Sequence, residues 1–300
     1  MPRSATAGVT QVTPARRAST YLYQHAKTRL RLLIAAPVVW LGLVYIASLL
    51  MLLVTALWTV DEFTGETKVA WNLDNIVSLF TDSLYSVVGL RTIGIALAVT
   101  IIDVLLALPV AFFMSKVASP RLRNILAISV LLPLWASYLV KAYAWRSVLS
   151  NKGILQWVLE PLGLNSPGYS LLGASLTLGY MWLPYVILPI YAGLEKVPSN
   201  LLEASSDLGA STFTTIRRVV LPIVLPSIIA GSIFAFSLTL GDYITINIVG
   251  GASQMLGNLI YTNVGTANNL PMASALALIP IAIMFVYLSA VKRTGALDSL

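Results

Sequence analysis

The chain has 300 residues, of which 57% are hydrophobic and only 10% are charged, and its mean hydropathy is +0.83. A soluble domain carries roughly 25% charged residues, so a water-exposed globule is excluded and a membrane protein is expected. The sequence has no cysteine and a single histidine, which excludes disulfides and sites built on cysteine or on clustered histidines. The net charge of +7 is typical of basic cytoplasmic loops and does not require a nucleic-acid partner.

The first 30 residues are polar and basic, rich in Ala, Thr, Arg and Ser, and show no apolar periodicity. We interpret residues 1–30 as a disordered cytoplasmic tail. The apolar run that follows, Leu32–Trp58, is longer than the core of a signal peptide, which has roughly 7–15 residues. It is therefore predicted to be an uncleaved first span.

Six segments are apolar enough to cross a bilayer, which takes about 20 residues per helix. They are Leu32–Trp58, Thr92–Ser115, Ile125–Trp145, Leu171–Leu194, Val219–Ile246 and Pro271–Val291. No soluble domain and no convincing internal repeat is visible. Residues 31–300 are therefore predicted to form an all-α polytopic membrane domain of six transmembrane helices.

Basic residues fix the expected orientation of these spans. If the N-terminus is inside, most of the lysines and arginines fall in the inner segments, while the outer loop Thr59–Arg91 is mainly acidic. Cytoplasmic loops are enriched in Lys and Arg, so both termini are predicted to be cytoplasmic in a multi-pass inner-membrane protein.

The segment 195–222 is a polar cytoplasmic loop with the signals of an ordered structure. Pro198 blocks extension of the fourth span. Asn200 can cap a new helix, with Glu203 as its capping-box partner three residues later. That helix would present a small face made of Leu201, Leu202, Ala204, Ser205 and Leu208.

Gly209 is expected to end this short helix, and Ser211 or Thr212 can cap the next one. The sequence thus predicts a helix–turn–helix across the cytoplasmic face of the membrane. On the residues alone, an ordinary interfacial connector is an equally good interpretation.

The spacing in this loop resembles a family signature. Glu203-Ala204-Ser205 is followed by three residues, Gly209, nine residues and then Val219-Val220-Leu221-Pro222. This pattern is similar to the EAA motif of permease subunits of ABC importers, with Ser in place of Ala and Val in place of Ile. The resemblance implies the type I ABC importer permease fold and a coupling helix that docks on an ATP-binding subunit. The implied coupling residues are Glu203, Ala204, Ser205, Asp207, Leu208, Gly209, Ala210 and Ser211.

The chain has no motor of its own, because no G-x-x-x-x-G-K-[ST] sequence occurs. The resemblance therefore places ATP and magnesium on two separate ATPase subunits and leaves this chain as a transport subunit without a cofactor, not an enzyme. It also implies a second, C-type permease as heterodimer partner and an external solute-binding protein.

The stretches Pro133–Leu164 and Gly241–Gly251, and the Leu256-Gly257-Asn258 element, resemble the B-type permease of spermidine and putrescine importers. The resemblance implies a polyamine substrate. Importers of phosphonate, ferric iron, thiamine and related solutes share weaker versions, so another small solute is an alternative. Two other classes remain open on the residues alone: an ion-coupled secondary transporter and a membrane-embedded enzyme.

The candidate substrate pathway rests on one carboxylate and several aromatic residues. Asp242 lies at the end of the fifth span and could attract a protonated amine, although pairing with Lys141 or capping of a broken helix would also explain it. Aromatic faces can hold ammonium groups through cation–π attraction. The candidate pathway residues are Trp135, Tyr138, Trp182, Tyr185, Asp242 and Tyr243.

Three further expectations concern the spans. If the third span is a regular helix, Trp135, Tyr138, Ala142 and Trp145 share one narrow arc. For Asp103 we favour a structural role, such as a bond to the backbone near Pro109, over a pathway charge. The cations Lys141 and Arg146 argue against a dication pathway and are expected to bind a partner, pair with acids or extend outward.

Overall fold

The computed structural model describes residue 23, residues 25–61 and residues 63–292. Most of the tail that we interpret as disordered lies outside these residues, so that interpretation stays a prediction. The chain divides into two compact units, Met1–Val54 and Thr55–Leu300. The first unit contains all of helix α1 (Ala26–Thr55) except its last residue, Thr55.

The second unit begins with a two-stranded antiparallel hairpin and continues as helices. Its strands are β1 (Thr59–Val60) and β2 (Thr67–Lys68). Its helices are α2 (Asp74–Thr81), α3 (Ser83–Phe112), α4 (Pro120–Trp135), α5 (Tyr138–Leu149), α6 (Ile154–Leu159), α7 (Leu171–Glu195), α8 (Ser199–Asp207), α9 (Thr212–Thr215), α10 (Leu221–Leu240), α11 (Ile244–Val249), α12 (Leu256–Gly265) and α13 (Leu270–Lys292). Two π-helical turns, Phe113–Val117 and Ile216–Val220, and one 3₁₀ turn, Glu160–Leu162, join neighbouring helices.

Five helical stretches in the described part are long and apolar enough to span a bilayer, and a bent pair brings the number to six if it is one span. They are Lys27–Thr55, Ser83–Val117, Leu171–Glu195, Thr212–Leu240 and Leu270–Lys292, with Pro120–Trp135 and Tyr138–Leu149 as the pair. The predicted order of spans is therefore found. The second span begins at Ser83, not Thr92, because Asp82 caps a helix that incorporates the end of the predicted outer loop.

The third span is not the regular helix that its composition suggested. It breaks after Trp135, and its two halves meet at an angle of 98°. Pro133 lies in the last turn before the break, Ala136 adopts an extended backbone conformation, and Ser137, with ψ of 142°, is also not helical. The predicted single arc of aromatic side chains is therefore wrong, since Trp135 and Tyr138 belong to different helices.

A charged pair lies in the hairpin, which is the first part of the predicted outer loop. In the hairpin, the Lys68 ammonium group donates a hydrogen bond to the Asp61 carboxylate, which also accepts bonds from the N–H groups of Phe63 and Thr64. The Lys68 bond, followed by these backbone bonds, holds the pKa of Asp61 well below its ordinary value. The hairpin lies between α1 and α2 in the chain.

The core of the second unit is the packing of α3, α7 and α10 on one another. Glycines permit the closest approaches between α7 and α10. A Cβ added at Gly193 would lie 2.3 Å from Ser227 Oγ and 2.6 Å from Ser227 Cβ, and one added at Gly231 would lie 3.1 Å from Val186 Cα. Small residues serve the same purpose in membrane helix pairs generally, because they let two backbones approach.

We expect Gly193→Ala to destabilise the bundle by about 1–3 kcal/mol, because the new methyl group overlaps Ser227 and one helix must move. Alanine is the better helix former, so propensity alone predicts the opposite sign. Gly94→Ala is the matched control, since no atom lies within 4 Å of its added Cβ. Thermal unfolding of the purified protein in detergent tests this; equal midpoints for the two variants would contradict the close contact.

Candidate functional site

The first candidate site is the short helix α8 and the turn that follows it. The helix ends in a left-handed turn: Gly209 has φ of +72°, its N–H bonds to the Ser206 carbonyl at 2.9 Å, and the Ala210 N–H bonds to the Ser205 carbonyl at 3.1 Å. This bond pattern is a Schellman motif, which usually requires glycine at the left-handed position. The prediction that Gly209 ends the helix is confirmed.

The two ends of this segment differ in how well the sequence predicted them. The capping box at Asn200 is wrong, because the N-cap is Pro198, two residues earlier, and no side-chain cap bond forms there. At the next helix, Ser211 is the cap: its Oγ accepts a bond from the Thr214 N–H at 3.3 Å. The start of α8 therefore has no side-chain cap, whereas the start of α9 is capped by the Ser211 side chain.

Helix α8 is attached to the helix that follows it. Ser205 Oγ and Thr215 Oγ1 share a hydrogen bond of 2.8 Å, and Leu202 packs on the core of the bundle. These two contacts join α8 to the start of the stretch Thr212–Leu240.

The outer face of the segment is open to solvent in this chain. Leu208 is 88% exposed, and Phe213 is 71% exposed. Of the eight candidate coupling residues, only Ser205 and Ala210 are partly buried; the exposed ones are Glu203, Ala204, Asp207, Leu208, Gly209 and Ser211. The predicted apolar face is therefore divided, with Leu202 and Ser205 turned inward and Leu208 outward.

The second candidate site is built around Asp242, which is 7% exposed. It follows α10, and its Oδ1 accepts the backbone N–H of Thr245 at 2.8 Å, so it bonds to the first turn of α11, although the N-cap position of that helix is Tyr243. Its other oxygen accepts a bond from the Tyr138 hydroxyl and contacts Thr245 Oγ1 at 3.2 Å. No described residue pairs with it as a cation, and in particular Lys141 does not.

Thr245 was not among the residues singled out from the sequence. It completes the site by bonding to Tyr138 Oη at 2.5 Å while its own N–H binds the carboxylate. The only local signal is Asp242 itself, since an aspartate before a helix start can accept the backbone N–H of a residue two or three places later, whatever its side chain. Tyr138, 104 residues earlier, could be placed here only by the fold.

Aromatic rings surround this carboxylate. The ring of Tyr138 lies 5.9 Å from that of Trp182, and Trp182 lies 6.0 Å from Tyr185. Tyr243 stacks on Tyr261 at 4.8 Å. A cavity of about 200 Å³ opens among these groups, and its lining is Tyr138, Trp182, Leu238, Gly241, Asp242, Tyr243 and Ile244. Five of the six candidate pathway residues therefore belong to one cluster.

Trp135 is the exception. Its side chain is 91% exposed and lies before the break in the third span, where it lines an apolar cavity with Ile128, Leu131 and Leu132. The cation Arg146 is also directed elsewhere, since its guanidinium stacks 5.0 Å above the Tyr169 ring and donates to the Ile248 carbonyl at 3.1 Å. Arg146 is thus occupied by a ring and a carbonyl and forms no ion pair with a described residue.

Asp103 lies in the middle of α3 and is 1% exposed. Neither carboxyl oxygen has a hydrogen-bond partner, so the expected bond to the backbone near Pro109 is not formed. Its Oδ1 lies 3.1 Å from the position that a Cβ would take at Gly179 of α7. No described group of three or more His, Cys, Asp or Glu residues could hold a metal ion here.

The loop that carries Asp242 depends on one glycine of α12. A Cβ added at Gly257 would lie 2.5 Å from the Asp242 carbonyl oxygen and 2.8 Å from its carbonyl carbon. We expect Gly257→Ala to displace the Asp242 loop and reduce substrate transport by about tenfold or more, because backbone atoms cannot yield as a side chain can. Gly265→Ala, in the same helix with no atom within 4 Å, should transport normally. Equal uptake by both variants would contradict this contact.

Comparison with known proteins decides the class of the molecule. The family described as "Binding-protein-dependent transport system inner membrane component" matches residues 15–293. The chain belongs to this family. It is therefore a multi-pass transport subunit of the inner membrane, and the predicted ABC importer permease is confirmed, as is the prediction that the chain is not an enzyme.

Relatives of this permease cover between 73% and 94% of its length. The inner membrane ABC transporter permease protein YdcU of Escherichia coli strain K12 is 43% identical, over 94% of this chain and 95% of the relative. The spermidine/putrescine transport system permease protein PotB is 35% identical in Haemophilus influenzae, over 73% of this chain and 79% of the relative. The same protein of Escherichia coli strain K12 is 32% identical, over 76% and 84%.

Solved structures confirm the fold of the permease. A bacterial ABC transporter involved in the import of the acidic polysaccharide alginate aligns with a TM-score of 0.65 at 17% identity, covering 92% of this chain and 99% of that one. The inward-facing MetNI methionine ABC transporter aligns with a TM-score of 0.56 at 16% identity, covering 69% and 92%. At these identities the likeness concerns the fold, which is the type I importer permease fold that the sequence motif implied.

Proposed function

We propose that the chain is one of two permeases of an ATP-driven importer for polyamines such as spermidine and putrescine, delivered by an external solute-binding protein. The observation that carries the substrate class is the cavity beside Asp242. It combines a buried carboxylate with the rings of Tyr138, Trp182 and Tyr243. A carboxylate with aromatic faces is the chemistry that binds a protonated amine, since both attract positive charge. The names of the PotB relatives support the same substrate.

We propose that the cavity is a transient binding site on the substrate pathway. Tyr138 and Thr245 fix the orientation of the Asp242 carboxylate, so the charge is held in place before the amine arrives. Tyr185 extends the aromatic surface beyond Trp182. A dication would exchange its hydration shell for these groups one ammonium at a time. Trp135 is not part of the proposed pathway, because it lies on the other side of the break in the third span and is 91% exposed.

The partner assignment follows from the family and from the open face of α8. We infer a C-type permease as the second membrane subunit; the C-type protein PotC of Escherichia coli strain K12 is itself 35% identical over 39% of this chain. Two ATPase subunits, which carry ATP and magnesium, would bind the segment 195–222. Both termini then lie on the ATPase side, in the cytoplasm, as the distribution of basic residues predicts.

The proposed mechanism is a population shift. ATP binding closes the ATPase pair, and α8 moves with the ATPase that holds it. The bond from Ser205 to Thr215 passes this movement to the following span, and the cavity opens outward. Hydrolysis reverses the shift and releases the amine inward. Nucleotide acts only because it binds one conformation better than the other.

The substrate proposal is tested on the binding protein of the same importer. We expect putrescine or spermidine to raise its thermal unfolding midpoint by several degrees, while phosphonate and ferric iron leave it unchanged. Labelled polyamine uptake by proteoliposomes of the complete importer should then show the same preference. A midpoint that rises only with an anion would replace the polyamine by another small solute and leave the importer class intact.

A further inference from the structure

The carboxyl group of Asp103 is buried in the core of the bundle and has no role in the transport cycle proposed so far. It lies on α3, is 1% exposed, and neither of its oxygens bonds to a described residue. No described cation pairs with it. Buried polar groups are almost always bonded, and ionisable groups within membrane spans are costly and usually functional. Because the backbone bond that would give it a structural role is not formed, the carboxyl is a free acceptor for a ligand.

Asp103 lies at the level of the C-terminal turn of α10. Its Oδ1 is 3.1 Å from the position of a Cβ at Gly179 of α7. Helices α7 and α10 are antiparallel, and Gly231 of α10 meets Val186 of α7. Gly179 lies about two turns before Val186 and so shares its face, the one that meets α10. Thr239 lies about two turns after Gly231, at the level of Gly179. The carboxyl therefore lies at the junction of α3, α7 and α10.

This junction borders the candidate substrate cavity, because α7 and the end of α10 both contribute to the lining of the cavity. On α7, the lining residue Trp182 lies about one turn after Gly179. On α10, Thr239 lies between the lining residues Leu238 and Gly241. The Trp182 Nε1 and Thr239 Oγ1 atoms are buried and have no hydrogen-bond partner among the described residues. An unbonded donor and an unbonded hydroxyl thus stand at the level of the unbonded carboxyl.

We propose that Asp103 is a second amine-binding carboxylate of the pathway, which takes one ammonium group of a polyamine while Asp242 holds another. This role rests on the proposed function, since a polyamine carries more than one ammonium group and each needs an acceptor when it leaves water. Helices α3 and α7 cover the carboxyl in the present arrangement. When ATP binding shifts the spans, a separation of the two helices at Gly179, which has no side chain, uncovers it.

The chemistry of the junction favours an amine over other ligands. An ammonium group has only donors, which suits a carboxylate and a hydroxyl, and the Trp182 ring offers a face for cation–π attraction. A metal ion is disfavoured, because the described residues contain no group of three or more His, Cys, Asp or Glu that could hold one. The carboxylate disfavours an anion.

The first test separates a binding role of Asp103 from a structural one. Asp103→Asn keeps the size of the side chain and removes its charge. Uptake of putrescine and spermidine by proteoliposomes of the complete importer should fall about tenfold or more. The thermal unfolding midpoint of the purified importer should stay unchanged or rise, because the carboxyl makes no bond that stabilises the fold. Asp74→Asn, which alters an exposed carboxylate of α2, is the control and should change neither quantity.

The outcomes distinguish the role of Asp103 from the proposed function. A wild-type importer that takes up no polyamine would refute the proposed function before any variant is compared. Wild-type uptake that Asp103→Asn leaves unchanged would refute only the second carboxylate. An unfolding midpoint that falls by several degrees together with uptake would show that Asp103 supports the fold, and would refute it as well.

The second test measures whether the position is uncovered during transport. The sequence has no cysteine, so Asp103→Cys introduces the only thiol of this chain. Methanethiosulfonate ethylammonium, a thiol reagent with an ammonium group, should modify this variant at least about tenfold faster in one of two states, nucleotide-free or trapped with ATP and vanadate, than in the other. Spermidine should slow that reaction. Val99→Cys, at a position of the same helix that is 2% exposed, should stay unmodified. No modification of Asp103→Cys in either state, equal modification of both variants, or no effect of spermidine would overturn the proposal.

Discussion

Replacement of Gly209 by proline is expected to uncouple the importer: substrate uptake should fall by at least about tenfold while the permease still inserts and assembles. Proline fixes φ near −65° and has no N–H group, whereas Gly209 has φ of +72° and donates its N–H to Ser206. The substitution also restricts Leu208, because the residue before a proline avoids helical angles. The C-terminal turn of α8 would open, and the contact that we propose between α8 and the ATPase would be lost.

The matched control for this experiment is Gly209→Asn, because asparagine enters the left-handed region at small cost and keeps the N–H bond. We expect it to retain most of the uptake. The measurement is ATP-driven uptake by proteoliposomes, with ATP hydrolysis followed in parallel. The proline variant should hydrolyse ATP without a response to loaded binding protein. Normal, stimulated uptake by this variant would contradict the coupling role of α8.

Asp242→Asn is expected to lower the uptake of putrescine and spermidine about 30- to 100-fold. The amide is almost the size of the carboxylate and can still accept the Thr245 N–H, so the helix start should survive. What is lost is the negative charge that we propose binds the ammonium group, and a hydrogen bond to a charged group contributes about 1.5–3 kcal/mol. The effect should appear in uptake, with unchanged thermal stability.

Two companion variants separate the charge from its surroundings. Tyr138→Phe removes the hydroxyl that bonds to the carboxylate and should reduce uptake about tenfold, because the charge is then less well oriented. Asp74→Asn removes a carboxylate from the first turn of α2, away from the cavity, and should have no effect. Full uptake by the Asp242→Asn variant would exclude the cavity from the polyamine pathway.

Most of the membrane architecture was predictable because hydrophobic length is a property of local sequence. The spans appear in the predicted order, and Gly209 marked a helix end because only glycine adopts its backbone angles without strain. The N-cap of α8 was mispredicted. Pro198 occupies the N-cap position, so the helix begins at Ser199 and Asn200 lies inside its first turn. The sequence alone does not show which of two nearby residues, Pro198 or Asn200, is the N-cap.

The candidate substrate site was only partly predictable, because it joins distant parts of the chain. Tyr138 lies beyond the 98° turn that follows Trp135 and bonds to Asp242, and although Pro133 is a signal for a break, the sequence does not show the angle at which the chain continues. For Asp103, the sequence showed the unusual position but not the surroundings of the side chain. Its position in the span marked it as unusual, yet the lack of any hydrogen-bond partner depends on how α3 packs. Tertiary packing decides both cases.

The most direct test of the account is uptake by the complete importer in proteoliposomes, with ATP enclosed and the loaded binding protein outside. We predict that labelled putrescine or spermidine accumulates only when both ATP and the binding protein are present, and that an imposed proton or sodium gradient does not replace ATP. Accumulation driven by such a gradient without ATP would contradict the account.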